Sequence, residues 1–136
     1  MINFKNILYP IDLDSDNVSS LIKALEFAQM FNAQVHILYI NDSQAGYRHP
    51  TDYEDAVALK VRKIVPAELL KQAKITYAVS KGDLAAEIVK YSEENNIDLI
   101  ITGHKRRNKL YYVLFDSPDE DIIEAINLPV LVIPEN

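Results

Sequence analysis

Leu99-Ile100-Ile101-Thr102-Gly103 runs straight into His104-Lys105-Arg106-Arg107-Asn108-Lys109, and Asp116-Ser117-Pro118-Asp119-Glu120 follows a little later. The first stretch is apolar and too short for an ordinary helix, so it predicts a buried strand over residues 99–102. The last predicts a helix start, with Ser117 at the N-cap, Pro118 at N1 and Glu120 at N3. A strand, a glycine, cations and a capped helix are the layout of a phosphate-binding loop, because a helix start offers unpaired N–H groups and a positive dipole end. The chain has only three glycines, Gly46, Gly82 and Gly103, so the others that would let backbone close around a phosphate are missing.

Working outward from this unit, short apolar runs alternate with helical periodicity. Ile7-Leu8-Tyr9-Pro10-Ile11 predicts a strand, and the Asp-rich segment 12–17 supplies turn and cap residues. Val18, Leu21, Ile22, Leu25 and Ala28 recur at helical spacing, and Asn32-Ala33 ends that helix. Val35-His36-Ile37-Leu38-Tyr39-Ile40 predicts the second strand. Residues 41–52, with Gly46 and Pro50, are the longest polar stretch and predict a mobile surface loop. Val57, Val61, Ile64 and Val65 mark a helix that Pro66 kinks or restarts before Leu69-Leu70. Ile75–Val79 predicts a strand, and Gly82-Asp83 opens a helix with Ala85, Ile88, Val89 and Ser92 on one face, closed by Asn95-Asn96. Ile122, Ile123 and Ile126 mark the last helix, and Val130–Ile133, bracketed by Pro129 and Pro134, the last strand.

Alternation of this kind predicts an α/β fold: an open doubly wound parallel sheet of five strands, each nearly all apolar, with helices on both faces. Ligands in such sheets sit beyond the carboxyl ends of the strands, where the strand order reverses. That places Pro10–Asp14, Ile40–Ser43, Ser80–Asp83 and the loop 103–117 at the expected crevice.

The 136 residues suit a single domain, 1–136, and about half of them are apolar. A formal charge of −6 argues against a general nucleic-acid or anionic-membrane binder. The absence of cysteine excludes disulfides and thiol chemistry. With no signal-peptide stretch and no apolar run of membrane-spanning length, the expected location is the cytoplasm.

In this order and spacing the segments resemble the universal stress protein family over nearly the whole chain. The residues that carry the resemblance are Ile7-Leu8-Tyr9-Pro10-Ile11-Asp12, Gly82-Asp83-Leu84-Ala85-Ala86-Glu87-Ile88, Asp98-Leu99-Ile100-Ile101-Thr102-Gly103 and Leu128-Pro129-Val130-Leu131-Val132-Ile133. It implies the sheet common to universal stress proteins and adenine nucleotide alpha hydrolase-like domains. It also implies a homodimer joined through Val130–Ile133. In ATP-binding members a frame of three glycines and a Ser or Thr holds the nucleotide. Here that frame falls on Gly103, Arg106, Asp116 and Ser117, so the central glycines are replaced by Arg and Asp. This departure resembles members that do not hold ATP.

The ligand-binding set, if a nucleotide binds, is Pro10, Ile11, Asp12, Ile40, Gly103, Arg106, Arg107, Asp116 and Ser117. By resemblance Asp12 would meet an adenine or ribose and Ile40 would offer backbone to an adenine. Asp12 is equally a turn residue, and the default role of Ile40 is in the core. Arg106 fills space that glycine would leave but brings a favourable charge. Asp116 places a carboxylate where a triphosphate would lie. The capping box lets Glu120 occupy the helix N–H groups that Ser117 would otherwise share with a phosphate. Lys105–Lys109 fit an acidic or phosphorylated ligand, or pair with Asp116, Asp119, Glu120 and Asp121. Tyr111–Phe115 is an apolar run that covers the crevice, forms a partner contact or packs in the core.

No catalytic residue is expected. His36, His49 and His104 lack metal-ligand spacing, and no Gly-x-Ser-x-Gly elbow occurs. The expectation is a regulatory or interaction protein without cofactor or metal. The alternative is a switch that binds ATP or AMP with magnesium and hydrolyses it slowly at most. A phosphoacceptor receiver fits poorly, since Ser80-Lys81 follows the third strand and Pro134-Glu135 the fifth. A flavodoxin-like carrier fits poorly because Asp12, Asp14 and Asp16 would repel its phosphate.

Overall fold

The computed structural model describes residues 3–14, 19–104 and 126–134. Nine elements are defined there: β1 (Asn6–Pro10), α1 (Ser19–Phe31), β2 (Gln34–Asn41), α2 (Glu54–Ile64), α3 (Ala67–Gln72), β3 (Lys74–Lys81), α4 (Leu84–Glu94), β4 (Leu99–His104) and β5 (Val130–Pro134). All strand pairings are parallel, in the order β3-β2-β1-β4-β5. This is the five-stranded doubly wound sheet that the alternation predicts.

The strand pleat divides the core in two. Ile7, Tyr9, Val35, Ile37, Tyr39, Leu99 and Ile101 face α1, α2 and α3, where Leu21, Leu25, Val57 and Val61 close the layer. Leu8, Leu38, Ile40 and Ile100 face the other way, onto Leu84 and Ile88 of α4 and onto Ile97 and Ile126. A fully buried Leu or Ile contributes roughly 1.5–3 kcal/mol, so these two layers dominate stability. Polar groups stitch the layers together. Tyr9 and Ser20 share a buried 2.7 Å hydrogen bond that ties β1 to α1. The Asp98 carboxylate accepts from the Lys5 amide at 2.9 Å and from the Asn6 amide at 3.3 Å, fixing the start of β1 against β4.

The helix boundaries follow local chemistry. Asn32 and Asn96, with φ of 55° and 53°, stop α1 and α4 in the left-handed conformation that Asn tolerates. Val65 and Pro66 separate α2 from α3, as the proline predicts. Asp83 caps α4, accepting from the Ala86 amide at 3.0 Å.

Three features differ from expectation. The fourth strand runs two residues further, through Gly103 and His104. Pro134 belongs to β5 instead of bracketing it, because an edge strand has one side where a missing N–H costs nothing. The edge strands β3 and β5 are only partly buried, whereas the apolar runs predict cover on both faces. Most of the predicted last helix lies outside the described residues, as do the basic run from Lys105, the Tyr111–Phe115 run and the Ser117 cap.

Candidate functional site

The strand order reverses at β1, whose two neighbours are β2 and β4. The β1–β2 ladder holds over five pairs, ending at Pro10 opposite Leu38. The β4–β5 ladder likewise holds to the end of both strands, His104 opposite Pro134. The β1–β4 ladder spans only two pairs, Ile7 with Leu99 and Leu8 with Ile100. Toward their carboxyl ends the two central strands therefore part.

Pro10 gives the reason. Along β1 the backbone groups alternate between neighbours. The Asn6 carbonyl accepts from the Asp98 amide on the β4 side, and the Ile11 amide donates to the Leu38 carbonyl on the β2 side. The same alternation turns residue 10 toward β4, and proline has no N–H to give. A proline in a central strand is unusual, and here it stands where the sheet opens.

The predicted site residues that the structure describes gather around this opening, with different availability. Pro10, Ile11 and Ile40 are buried, and the side chains of Ile11 and Ile40 belong to the core. The Ile40 carbonyl already accepts from the Asp42 amide at 3.0 Å. Asp12 is half-buried and folds into a tight turn, its carboxylate accepting from the Asp14 amide at 2.9 Å. Gly103 lies inside β4 opposite Ile133, and its carbonyl accepts from the Thr102 hydroxyl at 3.3 Å. Arg106, Arg107, Asp116 and Ser117 lie outside the described residues.

One residue of the rim carries more than sequence reasoning assigns it. Asp42 is 4% exposed, and its two oxygens accept from the Gln44 amide at 2.8 Å and the Leu84 amide at 3.1 Å. It thus holds the turn after β2 and the start of α4 together. Its polar neighbours Asn41 and Ser43 look like ordinary loop residues, and nothing in the sequence points to a partner 42 positions away.

The stretch predicted as a mobile loop is anchored across this rim. The Arg48 amide donates to the Asp14 carboxylate at 2.9 Å, and the Arg48 guanidinium donates to the Asp14 carbonyl at 3.2 Å. The Asn41 side-chain amide donates to Asp52 at 2.6 Å. Tyr47 packs against Tyr39 with ring centroids 5.3 Å apart.

The rim's electrostatics are anionic. Burial, reinforced by the charges of Asp14, Asp12 and Asp52, pushes the Tyr39 hydroxyl up to about 12, although the nearby Thr51 backbone acts to lower it. That Thr51 approach falls short of hydrogen-bond geometry, and the buried Tyr39 hydroxyl has no partner among the described residues. Burial and then the neighbouring Tyr39, Asp12, Asp42 and Asp14 also raise Tyr47. No group of three His, Asp or Glu side chains among the described residues is placed to hold a metal ion.

The universal stress protein family model matches residues 3–134. The chain belongs to the universal stress protein family. It is 29% identical to universal stress protein A of Buchnera aphidicola, covering 98% of this chain and 99% of that one. The fold is also that of a universal stress protein from Lactobacillus plantarum, with a TM-score of 0.67 and 24% identity over 98% of this chain and 99% of that one. A universal stress protein from Archaeoglobus fulgidus in complex with dAMP superposes with a TM-score of 0.61 and 19% identity, covering 97% of this chain and 99% of that one.

Proposed function

We propose that this universal stress protein is a regulatory or interaction protein without catalytic activity, working as a homodimer and holding ATP weakly if at all. The observation that carries this reading is the chemistry of the rim on the β1–β2–β3 side. Backbone N–H groups that could cradle a phosphate there already donate to carboxylates: Asp14 to Asp12, Gln44 and Leu84 to Asp42, Arg48 to Asp14, and Ala86 to Asp83. A triphosphate approaching this rim meets negative charge in place of donors. The replaced glycines at 106 and 116 point the same way.

Calorimetry with ATP and magnesium is the test. No saturable heat is expected up to millimolar nucleotide. Submillimolar binding that disappears in Ser117→Ala would overturn the proposal.

A second possibility, a nucleotide-binding switch, draws support from the relative in complex with dAMP. A monophosphate carries less charge past the carboxylates than a triphosphate does. Titration with AMP alongside ATP separates the two, since binding of AMP alone favours this second reading.

A further inference from the structure

The cations of the described chain are unevenly spread. Residues 56–82 contain Lys60, Arg62, Lys63, Lys71, Lys74 and Lys81 against a single acid, Glu68, in a protein of net charge −6. The remainder of the chain is correspondingly more acidic. This segment is α2 after its acidic first turn of Glu54 and Asp55, all of α3 and the whole of β3.

The topology makes these cations a border. Among the described residues β3 is an edge strand of eight residues, paired with β2 on one side only. Lys74 and Lys81 stand exposed at its two ends. Arg62 and Lys63 are exposed on α2, which packs against β3. Burial raises the Tyr77 hydroxyl in the middle of the strand, and the Arg62 guanidinium opposes that shift, which places Arg62 near the strand. Lys71 pairs with Glu68 at 3.7 Å and Lys81 with Asp52 at 3.9 Å, both pairs largely exposed and therefore weak. Arg62, Lys63 and Lys74 have no ion pair among the described residues.

An unpaired strand edge is a template for another strand, and lysines on it are a common guard against self-pairing. The guard is selective. Two β3 edges brought together antiparallel would set Lys74 against Lys81, while an acidic strand would meet unpaired cations at the Lys74 end and along Arg62 and Lys63, and at the other end Lys81, which it would share with Asp52. We propose that the β3 edge, bordered by Arg62, Lys63, Lys74 and Lys81, is a docking surface for an extended acidic peptide segment of a partner protein. Backbone hydrogen bonds to the strand edge supply affinity, and the flanking cations supply selectivity and register. At about 3.3 Å per residue, β3 accommodates roughly eight residues of such a segment. The proposal deepens the reading of this chain as an interaction protein. Its test uses no nucleotide, so failure here leaves the calorimetric result untouched, and the reverse also holds.

The probe is a fluorescein-labelled nine-residue peptide alternating Val with Glu, titrated with the full chain and read by anisotropy. Its controls are the same peptide N-methylated at every second residue, a single-stranded oligothymidine and anionic lipid vesicles. Saturable binding is expected, weakened about tenfold or more by the double variant Lys74→Glu/Lys81→Glu and by N-methylation. Raising salt should weaken it as well. Far-ultraviolet circular dichroism checks that the variant stays folded, as exposed positions allow. Equal affinity for the methylated peptide would overturn the strand-pairing claim. Tighter binding of the oligonucleotide or the vesicles, or no binding at all, would overturn the partner assignment.

Discussion

Asp42 shows how one buried carboxylate ties a turn to a helix start. Its oxygens satisfy two amides that no strand or helix partner reaches, and leaving such groups unpaired in a buried position costs about 1–3 kcal/mol. Asp42→Ala should therefore lower stability by about 2 kcal/mol, with Asp42→Asn losing less because it keeps one acceptor. Urea unfolding of the three proteins checks this order. His36 is the second case. It is 7% exposed, with Nδ1 2.7 Å from the Tyr91 hydroxyl and Nε2 3.1 Å from the Asn6 side-chain oxygen. An acceptor at Nε2 assigns the proton there, so Nδ1 accepts from Tyr91. Burial lowers its pKa below 6.5. The unfolded chain then takes up a proton more readily than the folded one. His36 takes nothing from stability above the unfolded value, and folding weakens as pH falls from about 6.5 toward the folded pKa. In His36→Gln this part of the loss between pH 7.5 and 5.5 should disappear, as unfolding midpoints at the two pH values will show.

At the scale of elements, the turn from β3 into α4 depends on Gly82. Its φ of 144° lies where side chains are rarely accommodated, whereas Gly46 has φ of 72° and open space around it. A Cβ on Gly82 would come 3.4 Å from the Glu87 side chain, which can move, so the cost is backbone strain more than collision. Gly82→Ala should destabilise by about 2–3 kcal/mol and Gly46→Ala by about 1 kcal/mol, in thermal melts of the single variants. The same elements show what the sequence makes legible. The runs at 7–11, 35–40 and 99–102 are central strands, and their unbroken apolar character announces them. β3 reads Lys-Ile-Thr-Tyr-Ala-Val-Ser-Lys and is half polar, because an edge strand has less to bury. Its two terminal lysines therefore escape a reading based on apolar runs. Pro10 was legible as a family signature, but its role in parting β1 from β4 required knowing which neighbour its backbone faces. The acceptor roles of Asp42 and Asp98 depend on contacts 42 and 93 positions apart, which no local pattern encodes.

For the molecule as a whole, the sheet ends in two edges of opposite character. β3 is bounded by Lys74 and Lys81, while β5 presents Val130, Leu131 and Val132 with Val130 37% exposed. Lysines at the ends of the first edge oppose pairing with its own copy, whereas the five residues of the second carry no charge. An apolar edge of five residues left in water is a liability that self-pairing removes, and a two-fold axis lets both copies bury the same patch. The chain should sediment at micromolar concentration as twice its 15.5 kDa mass. Val132 sits at the middle of β5, so across an antiparallel two-fold contact it meets the neighbourhood of its own counterpart. Val132→Glu would set two carboxylates close together at the centre of that contact while leaving a half-buried position on each monomer. The variant is expected to sediment as a monomer with unchanged circular dichroism, and the acidic-peptide affinity at β3 should survive the dissociation. A wild-type monomer at these concentrations, or a Val132→Glu variant that remains dimeric, would assign the role of β5 to something other than self-association.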